Sequence, residues 1–388
     1  MSTTALRTAP QTTMAEPLSG EDTPQVPLSR SPRIPVLYFV RAGRPGGAAP
    51  DLALAYGLKA VAPEIDLQWA SYGSGLTQLQ TTGLPVIVLA LPEENSYAAT
   101  LAEAIKAIHT FQPAVVVSHD EFAALVAAKL LGVPAVYLSL WLPQAGSLAA
   151  ESLAHADAVF IFAAPGLFIA PHTLRLAPEF VGQVVHPRDV TRRDRPAFRC
   201  ELGLADDALL IVVAPSEHSP EETAPIADKV LAAFAACSVA KKRLIWHSRC
   251  DHARLLSCTE KIAGVEVTPS EVIASRVLAA ADVIIVKDDY GWALEAAALG
   301  VPSVSLSFGA RPIDEFFLAR LSSNIALIAS ATDPDTLQRA LMDSLGESLE
   351  GPLGPTEIHD GREAARALAE KIRQFARQSS GGAATAGT

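Results

Sequence analysis

The chain is poor in the features that mark several protein classes. Cysteine is scarce: Cys200, Cys237, Cys250 and Cys258 are the only four in 388 residues, and no C-x-x-C pair occurs. That pattern excludes a disulfide-stapled scaffold and suits a reducing cytoplasm. Long apolar runs are also missing. None reaches the ~18–20 residues of a membrane span, and the richest, Ala158 to Ala170, contains Pro165 and Gly166. The N-terminus has no compact apolar core behind a positive start, so no signal peptide is expected. Basic charge is in deficit, with 31 Lys and Arg against 42 Asp and Glu and a formal net charge of −11. Nucleic acid, which is bound by neutralising phosphates, is therefore not an expected partner. Aromatics are 6% of a chain that is 49% hydrophobic. An apolar content carried by Ala, Leu and Val fits layered helices over buried parallel strands.

What is present is alternation. Residues 1–32 are Ser, Thr, Pro and acidic residues without a period and are expected to be disordered, as is the Ser/Gly/Ala/Thr tail, residues 379–388. Between them, short apolar runs alternate with helical patterns. Strands are expected at Val36–Val40, Leu67–Ser71, Val86–Ala90, Val115–Ser118, Ala135–Ser139, Ala158–Phe162 and Phe180–Val184. A polar, Pro-punctuated stretch, residues 186–199, interrupts the pattern and reads as a linker. Strands then resume at Leu209–Val213, Arg243–Trp246, Val265–Val267, Val283–Val286, Ser303–Leu306 and Ala326–Ile328. Repeated β-α-β on both sides of a break predicts two α/β domains with parallel sheets, residues 33–185 and 200–354. A last helix within 355–378 carries Ala365, Leu368, Ala369, Ile372, Phe375 and Ala376 at three- and four-residue steps. One face is therefore apolar and must pack on something; it is expected to cross back to the first domain.

Several motifs sit at expected strand ends. The first strand runs into Arg41-Ala42-Gly43-Arg44-Pro45-Gly46-Gly47, a loop of small residues before Pro50, which suits a helix's first turn. Such a strand–loop–helix N-terminus offers unpaired N–H groups and partial positive charge to a diphosphate. Ser118-His119-Asp120-Glu121 ends a later strand. In the second half, Ala281-Asp282-Val283-Ile284-Ile285-Val286 is followed by Gly291, Glu295 and Gly300-Val301-Pro302. Taken in order, these segments resemble the GT-B fold of nucleotide-sugar glycosyltransferases, nearest to the family of the N-acetylglucosaminyl transferase of peptidoglycan lipid synthesis. The resemblance covers roughly residues 34–377. It implies an α/β fold of two Rossmann-like domains with a central cleft.

That resemblance places a donor site in the second domain. Glu295 matches the carboxylate that accepts hydrogen bonds from ribose hydroxyls, a chemically apt partner for a vicinal diol. Gly291 and Ser216 would line the phosphate path, with His218 and His247 at neighbouring strand ends. Gly43, Gly46 and Gly47 would form the matching loop of the first domain. Two departures stand out. Gly47 occupies the place where the family often carries a catalytic His, and Asp288-Asp289 occupies a turn where small residues usually admit phosphate. An acidic pair there repels a diphosphate unless a cation, Lys287 or an outward rotation intervenes, and Asp289 reads equally as the cap of the helix that follows. An acceptor-side base must then come from elsewhere. Asp120, with Glu121 and His119 beside it, is the nearest substitute, unless Asp120 merely caps the helix that follows.

The implied activity is a cytoplasmic hexosyltransferase using a UDP-sugar donor and a sugar, lipid or small-molecule acceptor. No cofactor and no metal are called for, because His247, Cys250, His252 and Cys258 match no common zinc spacing. The arginines around 188–199 read as a solvated hinge, or as a peripheral membrane contact to lipid headgroups. Two other readings remain open: an epimerase or hydrolase on the same fold, and a relative that binds a nucleotide-sugar without turnover, which Gly47 and Asp288-Asp289 favour.

Overall fold

The computed structural model describes residues 33–41, 49–91, 96–140, 147–163, 176–185, 191–214, 220–248, 252–259, 262–268, 273, 275–287, 290–307, 326–330, 334–346, 358–359 and 361–385. The first half contains β1 (Ile34–Val40), α1 (Ala49–Val61), β2 (Ile65–Ser71), α2 (Gly73–Thr81), β3 (Val86–Val88), α3 (Tyr97–Phe111), β4 (Val115–His119), α4 (Phe122–Leu130), β5 (Ala135–Ser139), α5 (Leu148–Ser152), β6 (Ala158–Ile161), β7 (Glu179–Phe180) and β8 (Gln183–Val184). The second contains α6 (Arg195–Glu201), β9 (Leu209–Val213), α7 (Pro220–Ala236), β10 (Lys242–His247), α8 (His252–Thr259), β11 (Val265–Thr268), α9 (Ser275–Ala280), β12 (Val283–Lys287), α10 (Tyr290–Ala298), β13 (Ser303–Ser307), β14 (Ala326–Ser330), α11 (Pro334–Gly346), β15 (Ile358–His359) and α12 (Arg362–Thr385).

Two parallel sheets carry the fold. The first has the order β3-β2-β1-β4-β5-β6-β7 and the second β11-β10-β9-β12-β13-β14. The inner strands β4, β5 and β9 are buried along their whole length because helices cover both faces of each sheet. In β1, Val36, Tyr38 and Val40 enter one core while Leu37 and Phe39 enter the other. In the second sheet Leu244 and Trp246 face one core and Ile245 the opposite one. Both sheets reverse their strand order once, between β1 and β4 and between β9 and β12. Ligands of such sheets bind outside the carboxyl ends of the strands at that reversal, so the fold names two places to look.

Three sequence expectations change. The run Phe180–Val184 is two strands, not one: β7 edges the first sheet, while β8 pairs with β15 in a separate two-stranded sheet. Gly182 between them has a φ of 75°, a left-handed turn that takes the chain from one sheet to the other. The polar stretch around Arg192–Arg199 is not simply solvated. It carries α6, whose Arg199 is buried and donates to Asp282 Oδ2 at 3.1 Å and to the carbonyl oxygens of Ala280 and Ala205. Arg195 pairs with the same Asp282. Pairing on a carboxylate and on carbonyls is what allows a guanidinium to be buried. Finally, the tail expected to be disordered continues α12 as far as Thr385; extending a helix that is already nucleated adds one bond per residue fixed. Residues 1–32 lie outside the described residues.

The last helix packs on the first sheet. Ala364, Ala365, Leu368, Ala369, Ile372 and Phe375 are buried in the same core as Tyr38, Leu54, Leu58 and Val117. Arg373 also grips Glu64, Nε at 2.7 Å and Nη2 at 2.6 Å from Oε1. No described helix is long and apolar enough to cross a membrane.

Candidate functional site

At the reversal of the first sheet the strand ends β1 and β4 lie side by side, Arg41 N–H donating to the His119 carbonyl at 3.2 Å. His119 is the last residue of β4 and is buried. Alternation along β4 puts its side chain on the face covered by α1. There Asp51, in the first turn of α1 and fully buried, takes Nδ1 with both oxygens, at 2.7 and 2.9 Å. The Tyr38 hydroxyl donates to Asp51 Oδ1 as well. On the other side of the ring, Nε2 stands 3.8 Å from Asp120 Oδ2. That is an ion-pair distance but too long for a hydrogen bond, and Nε2 is buried without a hydrogen-bond partner. Phe162 closes the ring's edge, with centroids 5.9 Å apart.

The next two residues face the opposite core. Asp120 has a φ of 56°, an uncommon backbone for a residue with a Cβ, though Asp tolerates it best. Its Oδ1 accepts from the Tyr137 hydroxyl at 2.7 Å. Asp120 is not the helix cap. That role falls to Glu121, whose side chain accepts from Ala123 N–H at 3.3 Å and from the Tyr72 hydroxyl at 2.8 Å. Arg41 extends over the ring of Phe122 at 6.0 Å, and Phe122 stacks on Tyr137 at 5.6 Å.

The electrostatics sort the three candidates. Burial alone pushes the His119 imidazole down, but Asp51 and then Asp120 overcome it and raise its pKa to about 9. At neutral pH the ring is therefore an imidazolium between two carboxylates. Burial raises Glu121 above the ordinary carboxylate range, opposed by its bonds to Tyr72 and Ala123. Burial and the neighbouring carboxylates raise Tyr38 and Tyr137 well above a normal phenol. Among these groups His119 already holds its proton and Glu121 is engaged as a cap.

The second sheet is different, and its strand-end histidine lies on β10, one strand away from the reversal between β9 and β12. His247 ends β10, is buried, and has neither ring nitrogen hydrogen-bonded. Burial lowers its pKa to about 4 against a weak upward pull from Glu266, so it is neutral at physiological pH. Glu295 lies on α10, just after β12, and is 5% exposed; it is not a surface helix carboxylate. Gly291 is half-buried at the second position of the same helix. Gly43, Gly46, Gly47, Ser216, His218, Asp288 and Asp289 lie outside the described residues. So does Cys250, and no metal-holding group of three acidic, His or Cys residues occurs among the described residues.

Asp51, Tyr38 and Tyr137 were not singled out in the sequence. The only signal for Asp51 was an acidic residue in a helix's first turn directly after a Gly-rich loop, which reads equally as a partner for the helix dipole.

No family model matches the chain, and no curated protein matches it in sequence. Solved structures do match in fold. A Listeria monocytogenes protein described as a UDP-N-acetylglucosamine 2-epimerase superposes with a TM-score of 0.65 at 14% identity, covering 89% of this chain and 97% of its own. MurG of Acinetobacter baumannii gives 0.58 at 15% identity, covering 88% and 99%. The chain has the GT-B fold. The glycotransferase of kitacinnamycin agrees, at 0.58 with 18% identity, covering 89% and 96%. At such identities the likeness fixes the arrangement of two Rossmann-like domains, and the chemistry must be argued from the side chains.

Proposed function

We propose that the protein is a glycosyltransferase that moves a sugar from a UDP-sugar donor to an acceptor hydroxyl, with Asp120 as the acceptor-side base. The observation that carries this is the row Asp51–His119–Asp120 at the carboxyl ends of β1 and β4. At neutral pH the imidazole is already protonated and cannot take a second proton. Asp120 is the carboxylate beside it that is neither fully buried nor engaged as a cap, with a side-chain exposure of 14%. In the proposed step the acceptor O–H gives its proton to Asp120 while its oxygen bonds to the sugar's anomeric carbon. The bond from that carbon to the diphosphate breaks, and UDP leaves with the electron pair. His119, fixed by Asp51, stands beside Asp120 before the step. On the donor side, Glu295 would hold the ribose, with Gly291 and Ser216 along the phosphates and His247 and His218 nearby. Gly43, Gly46 and Gly47 would let the first domain approach the donor. Two unpaired cysteines, Cys200 and Cys237, fit a cytoplasmic setting for this work.

The test is Asp120→Asn in UDP-release assays across an acceptor panel, with donor affinity followed by calorimetry. Turnover should fall by a factor of about 10²–10⁴ with UDP affinity nearly unchanged. Full turnover in that variant would remove Asp120 from the role.

A second reading has one observation behind it. A protonated imidazole 3.8 Å from a carboxylate offers an acid and a base in one place, which an epimerase needs, and the Listeria structure described as an epimerase shares the fold. Conversion of UDP-N-acetylglucosamine without any acceptor would favour it. Binding of the donor with neither reaction would identify a non-catalytic relative.

A further inference from the structure

We propose that α12 is the positioning element of the Asp51–His119 pair, and that Gly57 and Gly361 are the residues that let it act, because they allow α12 to approach α1 closely enough to fix where Asp51 stands. The functional part of this inference rests on the acid–base reading above; the structural part does not.

Helix α1 presents two stripes. Leu54 and Leu58 enter the core under the sheet, and Asp51, one turn before Leu54, meets Tyr38 and His119. Ala53 and Gly57, also one turn apart, meet α12 and the Gly361 that precedes it. A Cβ added at Gly57 would stand 2.8 Å from the Ala365 Cβ and 3.0 Å from the Gly361 carbonyl oxygen. A Cβ at Gly361 would stand 3.0 Å from both the Ala53 carbonyl carbon and its oxygen. Gly361 has in addition a φ of 81°, which disfavours any side chain there. Neither position accepts a methyl group unless the two helices separate. Beyond α1, Arg373 of α12 holds Glu64 in the turn that follows the helix. The helix carrying Asp51 is thus clamped along its length and just past its end by one other helix.

Hydrogen bonds of 2.7–2.9 Å from Asp51 to His119 leave little room for α1 to shift, since such bonds weaken beyond ~3.2 Å. Among the described residues, the charged or titratable groups around the His119 ring are Asp51 from α1, with Tyr38 from β1 bonded to it, and Asp120 at the strand end. The residues that α12 buries in this core are all apolar, so it adds no charge beside the ring and acts on it through where it holds α1 and packs on β4. A segment following the last strand of the second sheet therefore governs the protonation of an imidazole in the first.

The experiment follows the His119 ring nitrogens by NMR across pH in the full chain, comparing the unmodified protein, Gly57→Ala and Gly57→Ala/Ala365→Gly. The other histidines serve as internal references. The single variant should lower the His119 pKa by about one unit, a tenfold change in the proton's equilibrium constant. The double variant, which removes the Cβ that the new methyl meets, should restore most of the shift; a general loss of packing would not be rescued this way. If Gly57→Ala does not fold, Arg373→Gln supplies the same readout with a smaller shift. An unmoved His119 titration in a folded Gly57→Ala, or in Arg373→Gln where that variant is the one that folds, overturns the proposal. A moved titration with unchanged sugar-nucleotide turnover upholds the positioning and counts instead against the acid–base reading.

Discussion

Two histidines end two strands at the carboxyl edges of the two sheets, and they have opposite surroundings. His119 is gripped by Asp51 and faced by Asp120, and its pKa is raised to about 9. His247 is buried with no partner on either nitrogen, and its pKa is lowered to about 4. The first sheet's reversal carries the row of Asp51, His119 and Asp120, which the proposed function uses to hold and move a proton. The second sheet's histidine is a buried, uncharged donor and acceptor, which the proposed function assigns to the donor side. One residue type at the ends of two parallel strands, β4 beside the first reversal and β10 one strand away from the second, differs in charge according to whether a carboxylate is bonded to it.

The comparison breaks first at Asp51. Asp51→Asn removes the larger of the two charges that together overcome burial, so the His119 pKa should fall from about 9 toward or below ~6.5, its unperturbed value. Asp120 then loses the cation beside it, and the ring loses the partner that fixes its tautomer. Turnover at neutral pH should drop by at least ~10²-fold, read in the UDP-release assay. Stability supplies a second readout. The folded pKa of His119 lies above the unfolded value, so its contribution is full below pH ~6.5 and is lost as pH rises through about 9. That alkaline loss should be present in urea titrations of the unmodified protein and missing in Asp51→Asn. An unchanged alkaline slope would mean that His119 is not charged in the native state.

How much of this was readable beforehand depends on distance along the chain. The strands were legible because each is a short apolar run between turn signals, and α12 because its apolar residues recur at helical steps. Phe180–Val184 misled because Gly182 looks like a tolerated strand glycine until its φ is known. His119, Asp120 and Glu121 were legible as a cluster at a strand end, but their roles were not. The Asp51–His119 pair spans 68 residues and exists only because β4 is placed beside β1. No local pattern encodes that adjacency; sheet order does. Likewise, Asp120 appeared as a candidate helix cap, and only the geometry gives the cap to Glu121 and frees Asp120 to bond Tyr137.

A smaller effect sharpens the binding side. Glu295 is buried on α10, where the proposed ribose contact would sit. Glu295→Ala should weaken UDP binding by about 1.5–3 kcal/mol, the usual worth of hydrogen bonds to a charged group, or roughly ten- to 150-fold in Kd. His119 titration should be untouched, since the two residues belong to different sheets. Unchanged calorimetric affinity with the fold intact would take Glu295 out of the donor site.

The smallest expected effect is at His247, and its sign is the mirror of the one at His119. Here the folded pKa, about 4, lies below the unfolded value. The unfolded chain binds the proton first, so the stability contribution is full above pH ~6.5 and is lost as pH falls toward about 4. His247→Leu removes both the titration and an unpartnered buried polar group. Replacing such a group by an apolar one is neutral or stabilising, here by up to about 1 kcal/mol at pH 7. Urea titrations at several pH values should then show a flatter acid limb and an unaltered alkaline one, whereas Asp51→Asn alters only the alkaline limb. UDP-sugar affinity supplies the functional half of the test. If His247 is kept neutral to meet a ligand, the leucine variant gains stability while losing donor affinity, the trade expected of a group held ready for a partner. Gained stability with full donor affinity would make His247 an ordinary core histidine, and the contrast between the two strand ends would then be one of electrostatics without a division of labour.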